Sequence, residues 1–357
     1  MAKFCIFCGK KPKEKSREHI VPQWLIELTG DPKREVNLGM SKNEADFGKS
    51  RKYAFKNFTF PACVNCNTKY GKLEADVKPI LLKVLNDEGV TSEEMSSFLD
   101  WVDKVRVGLW LAMQQLDKNY LNVESNFHIE KRIGQYDRLL IVQKTDRNEP
   151  RVNFGAIDTP AFSFTPSAFV LSVNNFNFIS VSSTFLFSRR VGFPYITDMV
   201  LSPDSDKYSG TLVLGRERIM LPLIRKAIPH NGVIFYQPQF RNGLINGDTS
   251  EYECEYVKKH SLDYEKGYGN IFSERDGVFV EYSTGQLLDS IKNLPVHKDY
   301  ELSIKSSIEV LKWQNWLHTL LPDTKLLSQD QKRYLKEKFS FATKVNKNLI
   351  SVLQKEL

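Results

Sequence analysis

The chain has 357 residues, enough for two or three domains, with apolar and charged fractions that support an ordinary hydrophobic core. No stretch approaches the roughly 20 apolar residues that span a bilayer, and the start MAKFCIFCGKKPKEK lacks a signal-peptide run, so a cytoplasmic chain without a membrane partner is expected. The net charge of +7 is unevenly placed: residues 1–75 hold 15 Lys and Arg against 8 Asp and Glu, and the other 282 residues balance at 35 against 35. A basic head on a neutral body suits a polyanion partner, and equally a lysine-rich solvated surface.

In chain order, CIFCGK predicts a tight knuckle, with Gly9 letting the backbone turn. EHIV predicts a short strand stopped by Pro22, and PQWLIEL a helix ending at Gly30. Residues 30–52 are polar and glycine-containing and predict a loop. YAFKNFTF alternates as a strand that Pro61 closes. From CVNCNTKYGKLEADVKPILLKVLND a helix begins at or near a second knuckle, with Pro79 breaking or kinking it. The two strands are expected to pair as a hairpin with this helix across it.

Four of the five cysteines, Cys5, Cys8, Cys63 and Cys66, fall in two C-x-x-C pairs. In a reducing compartment disulfides are not expected, and four thiolates suit a structural, tetrahedral zinc ion; a redox role is the alternative for either pair alone. Such an ion would pin together a unit too small to hold itself by its own core. Cys254 has no partner in sequence and reads as a small half-buried residue.

Residues 92–118 predict the clearest helix, with Phe98, Trp101, Val102, Val105, Leu109, Met113 and Leu116 as a packing stripe. DRLLIVQK, SAFVLSV, FNFISVSSTFLFS, GTLVLG and GVIFYQP are strand-like. Amphipathic helices follow from 299, split by PDTK. The expected class is α+β: a zinc-stapled ββα unit over 1–78, a helical connector over 79–120, a β-rich domain over 121–298 and a helical segment over 299–357.

Within this frame Glu18 and His19 lie on the first strand, Asn67 directly after the second knuckle, and Asn57 near the second strand. Glu18 and Asn67 are expected to face a common point beside His19. The pieces CIFC, EHIVP, Asn57 in KNFTFPAC, and CVNCNTKYGK resemble the HNH endonucleases, ββα-metal nucleases on a zinc treble-clef scaffold. The likeness covers about a fifth of the chain. Each motif alone is weak, and their order and spacing together are specific. Two details depart from the usual pattern: Glu18 stands where Asp is usual, and Asn57 lies six residues before Cys63 where five is typical. Asn37 or Asn43 could take the central-Asn place instead.

The resemblance implies a metal-dependent phosphodiesterase that leaves 5′-phosphate and 3′-hydroxyl ends. His19 would be the general base, since a neutral imidazole of pKa about 6.5 takes a proton from water at neutral pH. Glu18 and Asn67 would hold Mg²⁺ or Mn²⁺ through hard oxygen ligands, and Asn57 would brace the loop that carries the base. Each residue has a plainer rival. His19 could be structural or a zinc ligand, Glu18 could pair with Arg17 or Lys15, and Asn67 could cap the helix. Glu74, two turns beyond Asn67, could support the site, or be solvated or lysine-paired.

Lys15, Arg17, Arg51, Lys52, Lys69 and Lys72 are the candidates for phosphate contact, which is largely blind to base sequence. DNA is the expected substrate, and RNA is equally compatible with the residues. The remaining histidines lack metal-type spacing. No G-x-x-x-x-G-K-S/T loop is present, so an ATP-driven motor is not expected. Arg189 and Arg190 could touch phosphate or be an exposed basic pair. By analogy an HNH head on a large body resembles anti-phage effectors released by a regulatory protein or small-molecule activator. A homodimer through the C-terminal helices would supply a second cut. The rival reading is a zinc-scaffold nucleic-acid-binding protein without catalysis.

Overall fold

In the computed structural model, described residues are 4–40, 50–55, 58–116, 128–131, 137–164, 167–183, 186–192, 195–201, 208–213, 231–238, 268–275, 278–319 and 328–357. They form an α+β structure of antiparallel sheets and helices, as the pattern of elements predicts. Asn43, Asn57 and Cys254 lie outside the described residues.

The N-terminal part contains β1 (Lys15–His19), α1 (Gln23–Leu28), β2 (Glu35–Met40), β3 (Ser50–Ala54), β4 (Thr59–Cys63) and α2 (Val64–Leu85). β1 pairs antiparallel with β4, with Glu18 opposite Phe60 and His19 opposite Thr59, and α2 packs across both strands. Three expectations change in detail. Residues 30–52 are not all loop, because β2 and β3 form a second hairpin with Glu35 opposite Ala54. The expected single strand over 53–60 is split, its first residues in β3 and its last in β4. Pro61 does not close the strand. Its carbonyl accepts from Ile6 N at 2.9 Å, so its nitrogen also faces away from β1 and the missing N–H costs the β1–β4 ladder nothing. Similarly α2 runs on through Pro79, which is exposed, while Val77, Ile80, Leu81 and Val84 anchor the helix on its other side.

After β5 (Val90–Thr91), α3 (Ser92–Leu116) begins with a capping box. Glu94 N bonds Thr91 Oγ1 at 3.2 Å, and Thr91 N bonds Glu94 Oε2 at 2.9 Å. The predicted stripe is buried from Phe98 to Met113, but so is every other side of the helix from Trp101 to Met113, including Asp103, Lys104 and Arg106. The charged side chains are tolerated because they are paired, Arg106 with Asp103 and Arg138 with Asp100 and Asp103.

The remaining elements are β6 (Asp137–Thr145), β7 (Val152–Gly155), α4 (Pro160–Phe164), β8 (Ala168–Val173), β9 (Phe176–Ser183), α5 (Leu186–Val191), β10 (Tyr195–Leu201), β11 (Tyr208–Val213), β12 (Val233–Gln237), β13 (Ile271–Arg275), β14 (Val278–Tyr282), β15 (Leu287–Leu288), β16 (Val296–His297), α6 (Asp299–Thr319) and α7 (Gln329–Gln354). The FLFS part of FNFISVSSTFLFS enters α5 rather than extending β9. An eight-stranded sheet runs in the order β14-β13-β12-β6-β9-β8-β7, with β16 added parallel to β6.

Alternation along β6 sorts two cores. Leu140 and Val142 join Phe98, Trp101 and Phe178 on the α3 side, while Leu139 and Ile141 join Val310, Leu311 and Trp313 on the α6 side. The described residues thus stack in layers: N-terminal module and α3, sheet, then α6 and α7. The first core is continuous from Cys5 through α3 to Leu294, so the stretch expected as a connector is the central helix. On the other side Gln314 knits α4, the sheet and α7 together. Its amide donates to Ala156 O and Ala168 O and accepts from Thr159 and Asn346, at 3.0 to 3.2 Å.

Candidate functional site

The two knuckles bring Cys5, Cys8, Cys63 and Cys66 together, with their sulfurs all within 4.8 Å of one another. Cys8 and Cys63 Sγ are 3.9 Å apart. Four thiolates at about 2.3 Å from a tetrahedral ion sit about 3.8 Å from each other, so this spacing could hold a structural metal such as zinc. Backbone geometry builds the cluster. Gly9 N bonds Cys5 O at 2.9 Å, and Gly9 takes φ +72°. A Cβ there would also lie 2.1 Å from the His128 ring, so only glycine fits. Ile6 is tied to Pro61, and Phe7 stacks on Tyr70 of α2 at 4.2 Å.

The electrostatics of the four thiols are those of a set that could hold a cation. Burial and the neighbouring thiols push Cys63 up to about 11, and burial with the charge of Cys5 pushes Cys66 further up. Cys5 moves the other way: burial raises it, but donors from the backbone of Cys8, Cys63 and Phe7 outweigh that. The Cys63 N–H lies 3.3 Å from Cys5 Sγ. Crowded thiolates repel one another unless an ion sits between them.

Strand alternation separates the other candidates. Lys15, Arg17 and His19 share one face of β1; Lys15 and Arg17 are exposed and His19 is half-buried. His19 has no hydrogen-bond partner among the described residues. Glu18 points to the opposite face and is buried. There its carboxylate meets the ammonium of Lys104, which also bonds Glu74. Lys104 is fully buried and lies 5.9 Å from the centre of the Phe7 ring. Burial raises the Glu74 pKa, Lys104 draws it back, and Glu18 raises it again. Two carboxylates around one ammonium leave a desolvated site one positive charge short of neutral.

Asn67 does not join this group. Its Nδ2 donates to Arg17 O at 3.3 Å, fastening the first turn of α2 to β1. Glu74 is lysine-paired, and through Lys104 it is linked to Glu18. Lys104 was missed by sequence reasoning because it lies in the predicted packing helix, 86 residues from Glu18. The only signal was a cluster of charges, Asp100, Asp103, Lys104 and Arg106, inside a helix rich in apolar residues. Glu18, Glu74 and Asn67 have the oxygen chemistry that a hard divalent cation prefers, but they are not gathered around one point here.

Among the basic candidates, Lys52 and Lys72 are exposed, while Lys69 pairs with Glu130 at 3.1 Å and lies over the Tyr70 ring. Arg51 is placed on β3. Arg189 on α5 is exposed and lies over the Tyr195 ring. Among the described residues no helix is long and apolar enough to cross a membrane. In comparisons with known proteins, no family model, no curated protein and no solved structure matches the chain.

Proposed function

We propose that the N-terminal module is an HNH-type nuclease that hydrolyses phosphodiester bonds, with His19 as general base and DNA as substrate. The observation that carries the reading is the position of His19. It ends a strand paired antiparallel to β4, on the same face as exposed Lys15 and Arg17, while Cys63 of the cysteine cluster stands opposite Lys15 at the other end of that strand. An imidazole with no competing partner among the described residues can take a proton from water as the water attacks phosphorus and the sugar oxygen leaves. Lys15 and Arg17 would hold the phosphate backbone over that face, with Lys52, Lys72 and Arg51 as further contacts. The clustered cysteines would hold zinc and keep β1 and β4 in place.

The family's catalytic Mg²⁺ or Mn²⁺ is a separate matter. The donors expected to hold it, Glu18 and Asn67, are turned to Lys104 and to Arg17 O, so proton transfer at His19 is the step assigned here. The same observation favours the second reading, a zinc-scaffold nucleic-acid-binding module without catalysis, in which Lys104 serves as a permanent counterion for Glu18.

Nicking of supercoiled plasmid by the zinc-loaded full chain separates the two readings, run with Mg²⁺, with Mn²⁺ and with neither, and with an RNA arm. The nuclease reading expects cutting that falls at least about 100-fold in His19→Ala. Unchanged cutting in His19→Ala would remove His19 from the mechanism. Tight binding of nucleic acid with no cutting under any condition would establish the binding-module reading.

A further inference from the structure

The balanced charge of residues 76–357 conceals a second basic pole. α7 holds six lysines and arginines against two carboxylates. Its buried side, with Ala342, Asn346 and the partly buried Leu349, Ile350 and Leu353, is spent on α6 and the core beneath it. Lys336, Ser340, Lys344 and Lys347 recur at intervals of three and four, so they share another face, and all four are exposed. The three lysines have no ion-pair partner among the described residues, whereas Arg333 and Lys305 are paired. Unpaired like charges on one helix face repel one another, so the face is electrostatically incomplete by itself.

The same lysines line a depression of about 410 Å³ between α6 and α7, together with His318, Ser340 and Thr343. His318 is buried, with Nδ1 3.0 Å from Thr343 Oγ1 and Nε2 without a hydrogen-bond partner among the described residues. Lys336 to Lys347 spans about 16 Å of helix, longer than one phosphate group and comparable to several successive ones. A membrane-surface helix would present a continuous apolar face outward; here Leu349, Ile350 and Leu353 pack toward the core, and the exposed Tyr334, Phe341 and Val352 are spaced seven and eleven residues apart along α7. The surface also lies across the sheet from His19, so it is not part of the site already described.

We propose that the lysine stripe of α7 is a second nucleic-acid surface, gripping the phosphate backbone without reading base sequence. Its chemistry is shared by DNA and RNA, duplex or single-stranded.

The test is binding of labelled duplex DNA, single-stranded DNA and RNA by the full chain, titrated against salt without added Mg²⁺ or Mn²⁺. The variant is Lys336→Gln/Lys344→Gln/Lys347→Gln, at exposed positions where folding can be checked by circular dichroism. A control of equal charge change is Lys292→Gln/Lys298→Gln/Lys305→Gln, where each lysine is already carboxylate-paired. We expect about tenfold or more loss of affinity at low salt in the α7 variant, with the duplex salt slope smaller by about two to three. The control should bind nearly as the parent does. Unchanged affinity and slope, or an equal loss in the control, would overturn the proposal. So would a variant that keeps nucleic-acid binding but loses binding to phosphatidylserine vesicles. Because only binding is read, a chain that binds through α7 and never cuts disproves the nuclease alone. One that cuts but ignores the α7 variant disproves this surface alone.

Discussion

At the residue scale the molecule turns on how it houses a few buried charges. Lys104 stands between Glu18 and Glu74, and removing its ammonium while keeping its length leaves two carboxylates desolvated. Lys104→Met is expected to cost about 3–5 kcal/mol at pH 7, and less at pH 5, where Glu74, already raised by burial, takes up a proton more readily. Urea unfolding at the two pH values checks both parts. Glu309 on α6 makes an independent case, since burial pushes its pKa up to about 8. A carboxyl raised in the folded state binds more protons folded than unfolded. Its contribution is therefore complete below the ordinary glutamate value of 4.5 and is lost as pH climbs toward 8. Between pH 4.5 and 7 that loss is at most about 3 kcal/mol, and Glu309→Gln should flatten this part of the stability–pH curve. A curve identical in the variant would mean Glu309 is not the group responsible.

Single elements depend on caps and turns that can be tested one at a time. Thr91 and Glu94 satisfy each other's backbone at the start of α3, and Thr91→Ala should lower unfolding free energy by about 1 kcal/mol. An unchanged urea midpoint would show that the buried flanks of α3 carry its start without the cap. At the first knuckle, Gly9→Ala meets both the positive φ and the His128 ring. The expected outcome is less than one zinc per chain by metal analysis, whereas full zinc content would show that the knuckle can open to admit a methyl group. Much of this level could be read from the sequence. The cysteine pairs, the helices over α2, α3, α6 and α7, and strands β6, β8 and β12 follow from spacing and periodicity. The β2–β3 hairpin could not, because its polar, glycine-containing residues carry a loop's composition and are held by pairing with each other.

For the whole molecule, the point of consequence is that one core joins the cysteine cluster to the sheet. Cys5 and Leu294 belong to the same buried cluster, with α3 between them, so the N-terminal module shares its core with the rest of the described fold. Calorimetry of the zinc-loaded chain should show one transition for the N-terminal module and sheet together, shifted to lower temperature by Cys63→Ser. Two well-separated transitions, of which only the first responds to Cys63→Ser, would show that the module folds apart from the body.

The sequence by itself determined the cysteine set that could hold a metal and the local order of elements, because both depend on short intervals. Two C-x-x-C pairs can be recognised without knowing what surrounds them, and alternation along a strand sets neighbouring residues on opposite faces, although the packing expected from the sequence has Glu18 face a point beside His19. Only the tertiary structure decided what each of those faces meets. Glu18 finds Lys104 through a helix that the sequence presents as a connector and that packing turns into the centre of the fold. The lysines of α7 stand out once α6 and the sheet have covered the helix's other side. In both cases the physical reason is the same: periodicity fixes which residues share a face, whereas the partner of a face is set by contacts between segments distant in the chain.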